Sequence, residues 1–275
     1  MGKKIIIAGG MGILFFFAVW SILIEPNIIK IEKISLEIKG LPSFFIGTKI
    51  ALLTDIHSKN YGEKEKKILK ILNQLNPDFI FLAGDIVDWS AKNLTSCQKF
   101  WKELNKNHYG KVFAVYGNHE HLNPRFKTFN KLFRETEIEV LNNQTKKIEK
   151  NKKFVYLIGV DDPHLGYDNL NKAMEEIDAD DQNPKILLSH SPEIFRAVKN
   201  SNKKIDLVLA GHTHGAQVNI PFLSDLILPL KYDKKYKAGL FKENSTYLYV
   251  SRGIGNSGLE IRFNSFPEIT LIEIR

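Results

Sequence analysis

From Lys49 onward the chain alternates short apolar runs with amphipathic stretches. Residues 50–54, 79–83, 112–116, 154–160, 185–189 and 207–210 form runs of four to seven residues, the length and character of strands buried on both faces. Between the first two, residues 63–75 place Ile68, Leu69, Leu72 and Leu75 at helical spacing with lysines opposite, which predicts an amphipathic helix. Shorter helices are predicted over 123–135, 169–177 and 192–199. After His214 the pattern changes: 247–251 and 269–274 read as strands with no comparable helix between them. The alternation predicts a layered α/β domain containing at least one mixed sheet.

The N-terminus follows a different pattern. Residues 5–24 contain no charge, and Ser21 is their only conventional polar side chain. About 20 apolar residues suffice for a helix to cross a bilayer core, and Glu25-Pro26 then ends the run. A cleaved signal peptide would have a shorter apolar region and a small-residue cleavage site, which the stretch after Trp20 does not offer. The expected organisation is a single-pass anchor over 1–25, a juxtamembrane segment with a first strand over 26–48, and a catalytic domain over 49–275. Lys3 and Lys4 precede the span while Lys30, Lys33 and Lys39 follow it, so the facing of the domain stays open.

Composition adds two constraints. The formal net charge of +8 favours anionic partners, whether phosphates, acidic lipids or nucleic acid, without choosing among them. The single cysteine, Cys97, excludes an intrachain disulfide and a thiolate metal cluster; within a helix it reads as a small buried hydrophobe.

Polar groups follow the buried runs five times. Asp55 and His57 follow 50–54; Gly84, Asp85 and Asp88 follow 79–83; Gly117, Asn118, His119 and Glu120 follow 112–116. The 185–189 run ends at His190, and 207–210 opens into Gly211, His212, Thr213 and His214. Ligands of open α/β sheets bind outside the carboxyl ends of the strands, so these groups should meet on one rim. Imidazole, carboxylate and carboxamide donors suit Mn, Fe, Zn or Ni better than soft copper sites. Their number exceeds one tetrahedral zinc and suffices for two ions sharing a carboxylate, an arrangement that grips a phosphoryl oxygen and activates water. Each motif alone has a plainer reading: an Asp at a strand end caps helices and Gly-Asp is a common turn. The ordered set, one member after each strand, favours metal chemistry.

Taken in order, Asp55-x-His57, Gly84-Asp85-x-x-Asp88, Gly117-Asn118-His119-Glu120, His190 and Gly211-His212-x-His214 resemble the signature of the calcineurin-like metallophosphoesterases, over roughly Lys49 to the C-terminus. Ile24-Glu25-Pro26, Leu188-Ser189-His190-Ser191-Pro192 and the 251–258 stretch resemble the bacterial, membrane-anchored branch, which includes enzymes similar to the lipid A pathway hydrolase that cleaves UDP-2,3-diacylglucosamine. The resemblance implies a four-layer αββα sandwich of two mixed sheets and two divalent ions, Mn²⁺ first, with Fe or Zn as alternatives. It implies Asp55, His57 and His214 on one ion, Asn118, His190 and His212 on the other, and Asp85 bridging. His119 would stand over the phosphate, stabilising charge or protonating the leaving oxygen, while Asp88 and Glu120 orient the ligands from behind. Ala216 departs from the pattern, since relatives commonly carry a second Gly there; a trimmed pocket wall is expected.

The implied activity is hydrolysis of a phosphodiester or pyrophosphate of a membrane-associated or lipid-linked substrate, at a bacterial inner membrane. The lipid A precursor hydrolase is one specific form of it, and a non-catalytic, metal-stabilised interaction module is the alternative of another class. No nucleic acid is expected as partner, because no separate basic domain is present. Asp161, Asp162 and His164 read as a loop turn that could border the site, and His108 and His121 as residues at the surface or supporting the ligands from behind. The apolar stretch 221–230, followed by Lys231, Lys234, Lys235 and Lys237, reads as an edge cap or as a lip facing lipid.

Overall fold

The uninterrupted apolar character of the central strands is explained by what covers them. A computed structural model describes residues 11–275 apart from 14, 222, 225–227 and 232. Its strands are β1 (Lys30–Leu36), β2 (Lys49–Leu53), β3 (Phe79–Ala83), β4 (Val112–Val115), β5 (Glu139–Val140), β6 (Gln144–Lys150), β7 (Lys153–Gly159), β8 (Lys185–Leu188), β9 (Leu207–Ala210), β10 (Gly239–Glu243), β11 (Thr246–Val250) and β12 (Glu268–Ile274). They form two six-stranded sheets, ordered β1-β12-β2-β3-β4-β5 and β10-β11-β9-β8-β7-β6. Both are mixed. β2 to β5 are parallel while β12 runs antiparallel to β2; β7, β8, β9 and β11 are parallel with β6 and β10 as antiparallel edges.

Alternate residues of each strand enter different cores, the period-2 geometry of a strand. Leu52, Phe81, Phe113 and Val115 meet Leu157, Leu188 and Leu209 between the sheets. Their neighbours Leu53, Leu82 and Ala114 pack outward on Ile68, Leu72, Trp101 and Phe129. These come from α1 (Glu63–Leu75), α2 (Leu94–Asn107) and, beyond the short α3 (Asn118–Leu122), α4 (Phe126–Arg134). On the opposite outer face Ile158, Leu187 and Val208 pack on Met174, Phe195 and Val198, beside α5 (Leu170–Ala173) and α6 (Phe195–Asn200). The order is helices, sheet, sheet, helices. Burying both faces is what makes the inner strands read as continuous apolar runs.

Three sequence expectations are adjusted. The helix expected from 123 starts at Phe126; Asn123, held extended (φ −68°, ψ 122°) as a residue before proline favours, caps α3 instead. The helix expected over 169–177 is regular only over Leu170–Ala173. His108, expected at the surface or behind the ligands, is buried at the C-terminal cap of α2.

Among the described residues no helix is long and apolar enough to cross a membrane. Residues 1–10 and Leu14 of the expected anchor lie outside the described residues. Residues 15–19 are helical; a π-helical turn, Trp20–Ile24, and a 3-10 turn, Glu25–Asn27, follow.

Candidate metal centre

The strand ends are shaped by unusual backbone. Asp55, His57, Asp85, His212 and His214 all have φ between 47° and 72°, a left-handed conformation that costs a non-glycine residue about 1–2 kcal/mol. Such strain persists only where surrounding bonds over-determine it. Asp55 and His57 donate their backbone N–H groups to the carbonyls of Gly84 (3.1 Å) and Asp85 (2.9 Å). The buried carboxylate of Glu120 accepts from the N–H groups of Asp85 (2.9 Å), Val87 (2.9 Å) and Gly117 (2.7 Å). Two glycines allow the close approach: a Cβ on Gly84 (φ +77°) would lie 2.6 Å from His190 Nδ1, and one on Gly211 would strike Thr54 Oγ1 and lie 2.5 Å from Asp55 Oδ2.

All seven sequence-predicted donors converge. On one side Asp55 Oδ1 lies 3.3 Å from His214 Nε2, and His57 Nε2 lies 3.2 Å from that same nitrogen. On the other, His190 Nε2 lies 3.1 Å from Asn118 Oδ1 and 3.1 Å from His212 Nδ1. Asp85 Oδ2 stands between, 3.6 Å from His57 Nε2 and 3.3 Å from His190 Nε2. Donor atoms of Asp55, His57 and His214 lie within 4.8 Å of one another, as do those of Asp55, Asp85 and His190. His119 borders the cluster: its Nε2 is 3.9 Å from Asp85 Oδ2, and its ring stands edge-on to His57 with centroids 4.3 Å apart. Asp88 Oδ2 lies behind both imidazoles, 3.4 Å from His57 Nδ1 and 3.7 Å from His119 Nδ1.

The electrostatics are those of a cation site. Burial holds His214 at about 3, despite the nearby Asp55, and pushes His57 and His212 down as well. These imidazoles are neutral and offer lone pairs. Burial also opposes a charge on His190, but Asp85 overrides it and holds that ring well above the ordinary histidine range. Burial disfavours the Asp85 carboxylate, yet His190, His119 and His57 keep it ionised far below the usual range. Glu120 is pushed up to about 7 by burial and the Asp85 charge, against the pull of its Val87 and Gly117 hydrogen bonds. Asp55 Oδ1 is buried without a hydrogen-bond partner, and two buried imidazole nitrogens face each other across 3.2 Å. Such groups are costly unless paired or coordinated. The donor set therefore fits two divalent ions.

Several contributors were not visible in sequence. Arg262 is fully buried and donates to the carbonyls of Ser265 (2.9 Å), Arg252 (3.0 Å) and Gly255, its Nη2 standing 3.3 Å from His214 Nδ1. The Ser265 hydroxyl donates to the His214 carbonyl at 2.6 Å. Neither residue carries a motif; only the fold brings them to the site. Asp162 accepts from the N–H groups of His164 (3.3 Å) and Leu165 (2.8 Å), forming the expected turn, and the His164 ring also lies 4.5 Å from that of His212. His121 pairs with Asp161 at 2.6 Å, to one side of the cluster. Ala216 is buried with φ +69°, a conformation that favours the glycine its position leads one to expect. Of the 221–230 stretch, Phe222, Asp225, Leu226 and Ile227 lie outside the described residues.

The chain is similar to known proteins over most of its length. Residues 48–216 match the family model described as calcineurin-like phosphoesterase. The metallophosphoesterase YkuE of Bacillus subtilis is 30% identical over 258 residues, covering 92% of this chain and 87% of that protein. A metallophosphoesterase of Aquifex aeolicus is 30% identical over 260 residues, 92% of this chain and 94% of its own length. A zebrafish (Danio rerio) protein named transmembrane protein with metallophosphoesterase domain is 30% identical over 90% of this chain and 57% of its own length. The crystal structure of TT1561 of Thermus thermophilus shares the fold, with a TM-score of 0.51 at 16% identity over 75% of this chain and 90% of that one. The chain belongs to the calcineurin-like phosphoesterase family, and is a metal-dependent phosphoric ester hydrolase.

Proposed function

We propose that the protein hydrolyses a phosphodiester or pyrophosphate bond of a membrane-associated substrate, using two divalent ions, with Mn²⁺ the first choice and Fe or Zn the alternatives. The observation that carries this reading is the meeting of seven donors from five strand ends around the Asp85 carboxylate. Asp55, His57 and His214 hold one ion, Asn118, His190 and His212 the other, and Asp85 serves both. When bound, such a pair supplies Lewis-acid polarisation of the phosphoryl oxygen and activation of water.

The chain's own residues do the rest. His119 Nδ1 lies 3.3 Å from the backbone nitrogen of Trp89 and 3.7 Å from Asp88 Oδ2, while its Nε2 is the nitrogen facing Asp85. Burial opposes charge on His119, but Asp88 and Asp85 overcome it and raise its pKa, which suits a group that donates a proton to a leaving oxygen. Asp88 orients the His57 and His119 rings, and Glu120 fixes the Asp85 turn through its three backbone bonds. The site walls shield these charges from water and strengthen their interactions.

A bilayer location is supported by the N-terminal helix. Phe15, Phe16, Ile22 and Leu23 are 46–72% exposed, a run of apolar side chains that lipid would cover. Within this reading, UDP-2,3-diacylglucosamine is one specific substrate. The test is turnover of bis-p-nitrophenyl phosphate, UDP-2,3-diacylglucosamine and an oligodeoxynucleotide by the full chain loaded with Mn²⁺. Chelator-sensitive cleavage of the diester supports the chemistry, and cleavage of the diacylated nucleotide supports the narrower role. Inertness toward every phosphoester with metal bound overturns the reading.

A further inference from the structure

The 251–258 stretch leaves β11 in one sheet and crosses the rim of the metal centre to the other. Ile254 and Gly255 give their backbone N–H groups to the carbonyls of Thr54 (3.1 Å) and Asp55 (2.6 Å), just past the end of β2. Arg262 fastens the crossing from its buried side. Its Nε donates to Asn256 Oδ1 (3.0 Å), and its Nη2 to the carbonyls of Arg252 (3.0 Å) and Gly255. A charged donor makes such bonds stronger than neutral ones. The path of the chain is thereby fixed up to Asn256.

Gln217 fixes the next residue. It lies three positions beyond His214, and its side-chain amide brackets Ser257. Oε1 accepts the Ser257 N–H at 2.9 Å, while Nε2 donates to the carbonyls of Ser257 (3.2 Å) and Leu259 (2.9 Å). Gln217 sits at φ +48°, a left-handed value that costs a non-glycine residue about 1–2 kcal/mol and persists only where surrounding bonds over-determine it. Between these two holds the partly exposed Ser257 places its hydroxyl oxygen 3.4 Å from His119 Nε2.

The His119 ring is thus met on both edges. The Trp89 backbone nitrogen and Asp88 stand at Nδ1, and Ser257 stands at Nε2, beside Asp85. A hydroxyl both donates and accepts, so Ser257 can bond that nitrogen with or without its proton. Turning the ring breaks contacts at both edges. Aim matters here, because a misplacement of about 1 Å at a reacting group costs up to about 100-fold in rate.

We infer that Ser257 is a positioning residue for the reaction: its hydroxyl, clamped by Gln217 and Arg262, holds His119 Nε2 toward the leaving oxygen of the phosphoester. The inference rests on the phosphoesterase reading, in which His119 donates a proton to that oxygen as its bond to phosphorus breaks. It deepens that reading by naming what aims the ring.

The test measures kcat and KM of the full chain loaded with Mn²⁺ for diphenyl phosphate and bis-p-nitrophenyl phosphate, whose leaving groups differ in their need for a proton. Ser257→Ala should lower kcat for diphenyl phosphate about five- to tenfold, the scale of one hydrogen bond, with KM unchanged. The loss for bis-p-nitrophenyl phosphate should stay within about twofold, because p-nitrophenolate departs without a proton. Ser257→Thr, which keeps the hydroxyl, should restore the rate. In a His119→Ala background, Ser257→Ala should cost nothing more, since the hydroxyl acts through that ring. Histidine-ring ¹⁵N NMR of the metal-depleted chain gives a readout without turnover. The His119 Nε2 resonance, identified by its absence in His119→Ala, should move in Ser257→Ala and return in Ser257→Thr. Equal losses on the two esters, or an additive loss in the His119→Ala background, overturn the positioning role and leave the phosphoesterase reading intact. An unmoved His119 resonance overturns the contact itself. Cleavage of neither ester with metal bound, while the resonance still depends on Ser257, overturns the catalytic reading and retains the hold on the ring.

Discussion

The buried carboxylate of Glu25 accepts a 2.6 Å hydrogen bond from the backbone N–H of Ser265, 240 positions away in sequence. Ser265 in turn gives its hydroxyl to the carbonyl of His214, one of the seven converging donors. One residue thus joins the end of the N-terminal helix to the floor of the metal centre. A buried carboxylate is tolerated only when its lone pairs are occupied, and here the other oxygen holds the Trp20 indole N–H.

Removing that carboxylate tests the joint. Glu25→Ala leaves the Ser265 N–H buried without a partner, which costs about 1–3 kcal/mol. The expected result is a lower midpoint in urea unfolding with an unchanged slope. Glu25→Gln keeps one acceptor oxygen but turns a donor toward the second N–H, and should fall between the two. Equal midpoints for wild type and alanine variant would contradict the assignment.

His119 borders the metal cluster without completing it, so its loss should separate chemistry from metal binding. His119→Ala should keep its full metal content while kcat falls by about 10²–10⁴ for an alkyl leaving group. The loss should be much smaller for p-nitrophenolate, which departs without a proton. Loss of bound metal in this variant would instead make His119 a ligand.

Metal uptake should release protons, and His190 is their source. Its pKa stands well above the ordinary value, so at neutral pH the metal-depleted ring is protonated and must lose that proton to coordinate. His57, His212 and His214 have lowered values and are already neutral. Metal affinity should therefore rise with pH through the neutral range, with about one proton released per chain. Calorimetry in buffers of different ionisation enthalpy measures the number directly; zero release would contradict the His190 assignment.

Ala216 offers a test in the stabilising direction. It sits at φ +69°, where an alanine is strained by about 1–2 kcal/mol and glycine is not. Part of that gain is lost to the greater unfolded-state freedom of glycine. Ala216→Gly should still raise stability by about 0.5–1 kcal/mol, a shift of a few degrees in Tm by differential scanning. A lower Tm would show that the alanine methyl contributes more by packing than it costs in backbone strain.

The inner strands and the metal ligands were legible in the sequence for related reasons. β3 and β9 match the predicted runs residue for residue, because burial on both faces leaves an uninterrupted apolar signal, and the ligands follow those runs directly. The edges were not legible. β6, with sequence QTKKIEK, lies at a sheet edge with mostly exposed residues, where lysines guard an unpaired strand and dilute the alternation. α2 carries its apolar stripe at Leu94, Cys97, Trp101 and Leu104 among polar residues, a periodicity present in the chain but weaker than that of α1. Arg262, Ser265 and Glu25 contribute through contacts spanning up to 240 positions, and no local pattern announces such partners.

The central claim is that the Asp85 cluster holds a pair of divalent ions and that phosphodiester hydrolysis depends on them. The most direct measurement titrates Mn²⁺ into the chelated full chain, counting bound metal while following bis-p-nitrophenyl phosphate hydrolysis. The account predicts about two ions per chain, with turnover appearing as the pair fills and both signals lost together in Asp85→Ala. Hydrolysis that persists in the chelated protein, or that survives in Asp85→Ala with its metal gone, would contradict it.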